Sequence, residues 1–361
     1  MPTVKRPEDP HYKATLSVAL HRARLQFHVA QDLFSSAFLD PGSAVLLRTL
    51  AGVDAARVLD LGCGYGPIGL FLKAWAPERT VHAVDRDELA VRYTALNAAL
   101  NDLEGVTAYA SLGYDDVDGG DFDLIVSNIP AKAGRGAIDS ILVDGRHFLA
   151  PGGLMAVVVI SRLAADVRAT LADEGLDVVL DQENRGYACF HYRFPPGEVP
   201  PYLPAFASGV YDRGRLSYDD VEITTVHGLP EFDNPGFATR LAIKLLPALG
   251  DARHVMVCNP GQGLVPAMVA GSVGVSDRDL LAVRNAARNA DLTAGEPDAL
   301  VLLIRQQEPL AVTLAELARP GVSRIVVAGT STQVTRVVEA SGADVIARHK
   351  NHGFSAALMA R

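Results

Sequence analysis

The sequence predicts an α/β chain of two tandem, doubly wound domains, each built on a mostly parallel sheet. Three observations predict it. Short apolar runs alternate with helix-length segments between residues 58 and 180, the pattern of a parallel sheet covered by helices on both faces. A glycine-rich turn, Gly62-Cys63-Gly64-Tyr65-Gly66, follows the first of those runs. The second half of the chain then repeats the spacing of the first.

Taken in order, residues 1–24 form an N-terminal arm, Pro-containing at first and helix-compatible around 15–24. Residues 25–29 alternate polar and apolar side chains and suit a strand, 34–40 a loop, and 42–50 have the apolar spacing of a helix. Strands are then expected over 58–61, 81–84, 106–109, 124–126, 154–160 and 178–180, and helices over 67–75, 88–101, 137–149 and 163–174. Residues 187–194 are expected to form the last strand, at the sheet edge. A linker rich in proline (Pro196, Pro200, Pro201, Pro204) spans 196–217, which leaves 25–195 and 218–361 as the two domains.

The run Val58-Leu59-Asp60-Leu61, the glycine turn, a helix and a second strand ending on Asp85 make a nucleoside-binding βαβ unit. Glycine there lets a ligand approach bare main chain. Residues 64–69 also fit the dinucleotide pattern GxGxxG, with Asp85 at about the right distance for a ribose; taken alone they are compatible with NAD. Asp60, an acid just before the first glycine, favours a cationic sulfonium ligand over a pyrophosphate. A second loop, Ser127-Asn128-Ile129-Pro130-Ala131-Lys132, after the strand at 124–126 points the same way, towards S-adenosylmethionine (SAM).

DLGCGYG, VDRD, DLIVSNIPAKAG and APGG, in that order, resemble the small-domain class I methyltransferases, the group that contains ribosomal RNA guanine-N2 methyltransferases. Residues 33–43, LFSSAFLDPGS, resemble the same group's GVFS and DxGT segment, and the resemblance runs over roughly 25–195. It implies two Rossmann-like class I methyltransferase domains. It also implies SAM held by Gly62, Cys63, Gly64 and Gly66, with Asp60 near the methionine amino end, Asp85 and Arg86 at the ribose, and Ser111 beside the adenine. Asn128 would border both cofactor and acceptor. Asp87 and Asp123 read as structural acids at a helix start and a strand start.

Methyl transfer from a sulfonium is an in-line displacement that needs alignment and dryness more than acid-base chemistry. An exocyclic base amine is a weak nucleophile, and two acceptors on its hydrogens would aim its lone pair. The Asn128 side-chain carbonyl and the main-chain carbonyl of Ile129 or Pro130 can supply them. The family usually reads Asn-Pro-Pro-aromatic here. Ala131 therefore lacks the ring that would stack on a base, and Phe34, Tyr187, Phe190 and His191 are the candidates to replace it. Lys132 and Arg162 are candidates for phosphate.

In the second half, His254 to Gly263 lies over Arg57 to Gly66 and Asp277 over Asp85, with Asn289 placed after Asp277 as Asn97 is after Asp85. Asp60 becomes Val257, Gly62 becomes Asn259, Cys63 becomes Pro260, and Leu303-Ile304-Arg305 replaces Asn128-Ile129-Pro130. The second copy is expected not to bind SAM and to serve substrate binding or structure. In the family's paired forms the C-terminal copy is the active one; here the order is reversed.

The net charge of -9 advertises no polycation. Residues 1–209 carry 18 basic against 26 acidic side chains, and 210–361 carry 15 against 16. Residues 1–30 hold a local basic excess (Lys5, Arg6, Lys13, Arg22, Arg24 against Glu8 and Asp9), a possible RNA-touching arm. Cys63, Cys189 and Cys258 are too scattered for a disulfide frame or a metal site, and no 18-residue apolar run is present. A cytoplasmic protein with no metal and no membrane contact is expected. Three functions are weighed: SAM-dependent N-methylation of RNA, foremost a guanine N2 of ribosomal RNA; N-methylation of a small metabolite or protein side-chain amide; and a noncatalytic RNA-binding or ribosome-assembly factor. Methyl incorporation into RNA, a closed narrow pocket beside Asn128, or the lack of any turnover separates them.

Overall fold

A computed structural model describes residues 7–361, so Lys5 and Arg6 of the basic excess lie outside the described residues. The chain divides into two compact units, one of Tyr12–Tyr211 and one of Asp212–Arg361 joined by Glu8–His11.

The first unit opens with a hairpin, β1 (Tyr12–Leu20) and β2 (Ala23–Ala30), paired antiparallel with Leu16 opposite Phe27. The helix expected over 15–24 is therefore a strand and a turn. Tyr12, Ala14, Leu16, Val18 and Leu20 alternate with polar or small residues, and Ala14, Leu16, Val18 and Leu20 pack against the core. Helix α1 (Pro41–Thr49) follows, and then β3 (Arg57–Leu61), α2 (Pro67–Trp75), β4 (Thr80–Asp85), α3 (Glu88–Leu100), β5 (Val106–Ala110) and β6 (Phe122–Asn128). Next come α4 (Arg135–Val143), β7 (Leu149–Ile160), α5 (Ala164–Asp173), β8 (Asp177–Glu183) and β9 (Tyr187–Arg193). The helix expected over 137–149 stops at Val143, and a 3-10 turn at Asp144–His147 leads into β7.

These strands form one seven-stranded sheet in the order β5-β4-β3-β6-β7-β9-β8, parallel up to β7 and antiparallel at β9 and β8. The last strand is thus not the edge. β9 is buried on both faces and lies inside β8, whose residues are mostly exposed. Burial on both sides explains the apolar runs: Val58, Leu124 and Val126 face one core with Phe27 and Leu46, while Leu59, Ile125 and Val157 face the other with Leu142 and Val167.

The second unit repeats the plan. A hairpin of β10 (Asp212–Tyr218) and β11 (Val221–Val226) takes up residues 212–217, expected as linker. Next are α6 (Phe237–Ile243), β12 (His254–Cys258), α7 (Leu264–Met268), β13 (Ser272–Ser276), α8 (Leu280–Asn289) and β14 (Ala299–Leu303). The unit closes with α9 (Leu310–Leu317), β15 (Arg324–Thr330), α10 (Ser331–Ser341), β16 (Asp344–Asn351) and β17 (Phe354–Ala360). Its sheet runs β13-β12-β14-β15-β17-β16, six strands matching β4-β3-β6-β7-β9-β8. Among the described residues no strand corresponds to β5.

The duplication extends to single hydrogen bonds. Asp123 accepts the Ala56 and Arg57 N–H groups as Asp298 accepts those of Arg253 and His254. Asn97 bonds to both backbone groups of His28 in β2 and to the Tyr65 carbonyl. Asn289 does the same for Thr224 in β11 and Gln262.

Candidate active site

The site is assembled at the carboxyl ends of β3, β4 and β6, where an α/β sheet presents loops rather than helix sides. From β3 the chain enters the glycine turn. Gly62 and Cys63 donate to the Val84 carbonyl at 2.8 and 2.9 Å, which seats the turn on β4. Gly66 has φ +92°, and a Cβ there would lie 3.0 Å from Thr94 Cγ2, so only glycine brings the chain this close to α3. Gly62 and Gly64 are different: both have positive φ, and a Cβ on either would meet no atom within 4 Å. They border open space, a cradle with no side chain in it.

Two acids flank the cradle. Asp60 is fully buried; its Oδ2 accepts from Gly69 N–H at 2.8 Å, and Oδ1 has no hydrogen-bond partner. Burial, with the Asp85 charge adding to it, pushes the Asp60 carboxyl up to about 7 against the Gly69 bond. Asp85 accepts from Gly64 N–H at 2.9 Å on one oxygen and from Asp87 N–H at 3.0 Å on the other, which leaves each with acceptor capacity. Its carboxyl is raised by burial. Arg86 is half-buried beside it.

Asn128 closes β6. Its Nδ2 donates to Asp40 Oδ2 at 2.7 Å and to Ser43 Oγ at 2.9 Å. A carboxylate only accepts, so the NH2 must face Asp40 and the side-chain carbonyl is turned the other way. Asp40 is held in turn as the N-cap of α1, accepting from Ser43 N–H at 2.9 Å. Ile129 N–H is used by the Val158 carbonyl and the Pro130 carbonyl accepts from Ala133 N–H. Among the described residues no group donates to the Ile129 carbonyl, so it keeps its acceptor capacity while that of Pro130 is in use.

The sequence model of the methyltransferase small domain matches residues 24–190. Over 186 residues the chain is 30% identical to uncharacterized protein YbxB of Bacillus subtilis, covering 51% of this chain and 92% of that protein. The chain belongs to the methyltransferase small domain family. It is also 31% identical over 180 residues to the ribosomal RNA large subunit methyltransferase G of Shewanella pealeana, a match that takes in 44% of each protein, so the chain spans less than half of that relative. Among solved structures, the T. thermophilus 16S rRNA N2 G1207 methyltransferase in complex with AdoMet and guanosine is 18% identical, with a TM-score of 0.65 over 97% of this chain and 99% of that one. At that identity the likeness is one of fold, and it extends over both units.

In this small-domain methyltransferase the residues fit SAM. An orphaned buried carboxylate oxygen, a glycine turn that no side chain crowds and a second acid with spare acceptor capacity lie along β3 and β4, as a ligand with a cationic end and a ribose requires. Cys63 is buried against Thr94 Oγ1 at 3.5 Å, and its thiol is pushed up by burial, so it lines the turn as an inert side chain. The Ser111 hydroxyl is taken up by the Gly113 carbonyl and Asp116 N–H, so this residue shapes its loop. Asp87 caps α3 and Asp123 ties β3 to β6, as expected.

Of the ring candidates, Phe190 and His191 are buried in β9, His191 bonded to Thr49; both are core residues, because β9 is interior. Tyr187 packs its ring on Gly42. Phe34 is exposed, Lys132 and Arg162 are exposed, and Ala131 is half-buried. Sequence reasoning missed Asp40, Ser43 and Thr94 as supports of the site. The signals for the first two were the helix-capping pattern D-P-G-S at 40–43 and the resemblance of that stretch to the family's DxGT segment.

In the second unit Arg305, at the position of Pro130, forms an ion pair with Asp277, the counterpart of Asp85. Glu308 lies 3.6 Å from His11, inside the same unit. The acid that would meet a ribose is thus matched internally. Among the described residues no group of three His, Cys, Asp or Glu side chains is placed to hold a metal, and no helix is long and apolar enough to cross a membrane. All three cysteines are free thiols.

Proposed function

We propose that this chain is a SAM-dependent N-methyltransferase of RNA, acting on a guanine N2 amine of ribosomal RNA. The observation that carries this reading is the polarity of Asn128: with both amide hydrogens committed to Asp40 and Ser43, its carbonyl oxygen is left as an acceptor, one residue before the Ile129 carbonyl in the chain. Two acceptors at the end of β6 suit an NH2 group and would draw its lone pair towards the cradle. When bound, SAM supplies an electrophilic methyl group on a positively charged sulfur. Asp60 balances the cationic end of that molecule, Gly62 and Gly64 let it approach the main chain, and Asp85 accepts from its ribose. Asn128 and Ile129 orient the acceptor; no residue at the site is required to act as a base before transfer, since the neutral amine is the nucleophile.

The relatives support the choice of acceptor. One is named for ribosomal RNA methylation, and the structural neighbour holds AdoMet with guanosine. The first unit, 25–195, is the catalytic domain in this reading and works where the chain meets ribosomal RNA, in the cytoplasm. The second unit is a degenerate copy that binds RNA or supports the first. Radiolabelled methyl groups are expected to enter undermethylated ribosomal RNA with the wild-type chain and not with Asn128→Ala. Absence of incorporation into any RNA rejects the proposal.

A further inference from the structure

Two phenylalanines stand out on the surface of the first unit: Phe34 is 73% exposed and Phe38 61%. Both belong to the loop between β2 and α1. That loop is built rather than loose. Leu33 is buried in the core, Lys13 Nζ donates to Ser36 Oγ at 2.9 Å, and Ser35 Oγ donates to the Phe38 carbonyl at 2.8 Å. Asp32 and Ser35 have φ of 76° and 54°, a region that costs a residue with a side chain. A fixed backbone that holds benzyl rings in water gains nothing for folding, because the apolar area stays wet.

Phe38 also has a defined place. Its carbonyl receives the Tyr65 hydroxyl at 3.4 Å, and Tyr65 sits between Gly64 and Gly66 of the cofactor turn. Two residues later, Asp40 holds the Asn128 amide. Phe38 therefore springs from the stretch of backbone that links the cradle to the acceptor-orienting amide, while the loop after Asn128 offers only Ala131, which has no ring. We infer that Phe38 is the platform on which the acceptor base stacks, doing from the loop before α1 what the reactive loop has no aromatic to do. Phe34, four residues earlier, flanks it as a contact for the neighbouring nucleotide. The inference rests on the acceptor being a nucleobase. Stacking on a ring is tolerant of base identity, so this residue sets affinity and the two carbonyls set which amine is aligned.

The test uses the full chain with Phe38→Leu, Phe38→Tyr and Phe38→Trp. Loss of one base stack is expected to lower kcat/KM for RNA by roughly 5- to 150-fold in Phe38→Leu, chiefly through KM, with Phe38→Tyr restoring it. SAM affinity should not change in any of them. The native chain has one tryptophan, Trp75, which is buried in the core, so the added indole of Phe38→Trp is a separate fluorophore. Guanosine monophosphate, with S-adenosylhomocysteine present, should quench it. An RNA-active wild type beside a Phe38→Leu variant of unchanged kcat/KM overturns the inference, as does an indole that guanosine monophosphate leaves unquenched. Quenching in a protein that methylates no RNA would keep the platform and discard the RNA reading. Loss of binding to a protein partner with unaltered RNA kinetics would assign the loop to docking instead and also overturn it.

Discussion

Asp40 and Asn128, 88 residues apart, share a 2.7 Å hydrogen bond whose direction is fixed because only the amide can donate. Asp40→Asn keeps the shape and removes that constraint, since an amide can meet Asn128 with either face. The expected result is a kcat lower by about 10²-fold, the scale of a misplaced catalytic group, with SAM binding intact by calorimetry. An unchanged kcat would mean that Asn128 is oriented by something else. Asp40→Ala should in addition cost about 1 kcal/mol of stability through the lost cap, read from the thermal midpoint.

Asp60 makes SAM binding pH-dependent. With its carboxyl pushed up to about 7 by burial, the folded protein without cofactor is protonated there below neutrality, whereas a cationic ligand needs the carboxylate. Affinity should therefore rise with pH by up to about tenfold per unit until about 7 and then level off. The stability sign is opposite. The folded state binds this proton more tightly than the unfolded chain, whose ordinary value is 3.8, so the contribution is full at low pH and is lost as pH rises to about 7. Asp60→Asn should flatten both curves, measured by calorimetry between pH 6 and 7.5 and by urea unfolding.

Asn97 bolts the hairpin and the cofactor turn to α3. Asn97→Ala strands the His28 N–H, the His28 carbonyl and the Tyr65 carbonyl in a buried setting, for a loss of about 3 kcal/mol in chemical denaturation. Asn289→Ala should cost less, about 1 to 2 kcal/mol, because Asn285 also donates to the Thr224 and Gln262 carbonyls and only the Thr224 N–H is stranded. A much smaller effect of Asn97→Ala would show that water replaces the amide.

Arg305→Ala removes the cation paired with Asp277, whose carboxyl is buried and already raised by that burial. Breaking a largely buried pair from one side should destabilise the protein by about 3 kcal/mol. It should not create a second SAM site: calorimetry is expected to give one site per chain for wild type and variant alike. A stoichiometry of two would show that the guanidinium alone keeps the cofactor out.

Local signals were the readable ones. The run Val58 to Leu61 and the glycines after it announce strand, turn and helix within a dozen residues, and Asp87 and Asp123 act at the termini where their types predicted. The hairpin was misread because Ala, Leu and Arg between 14 and 24 favour a helix, while the alternation that decides it is rewarded only by a core supplied from elsewhere. Strand order at β8 and β9 is likewise a pairing choice that no short window contains. At the site, Asn128 was legible from its place after a strand, but its polarity was not, because Asp40 and Ser43 reach it through space. Phe38 looked like any apolar loop residue until its side chain was found in solvent.

The strand missing from the second sheet has a consequence of its own. Residues 291–298, where a partner for β13 would run, contribute only the single bridge of Leu292 to Val273. Restoring Asp for Val257 and Gly for Asn259 would rebuild chemistry on a platform that has lost one of its walls. Point changes cannot supply a missing length of backbone, so these two substitutions are expected to leave the second unit without a SAM site.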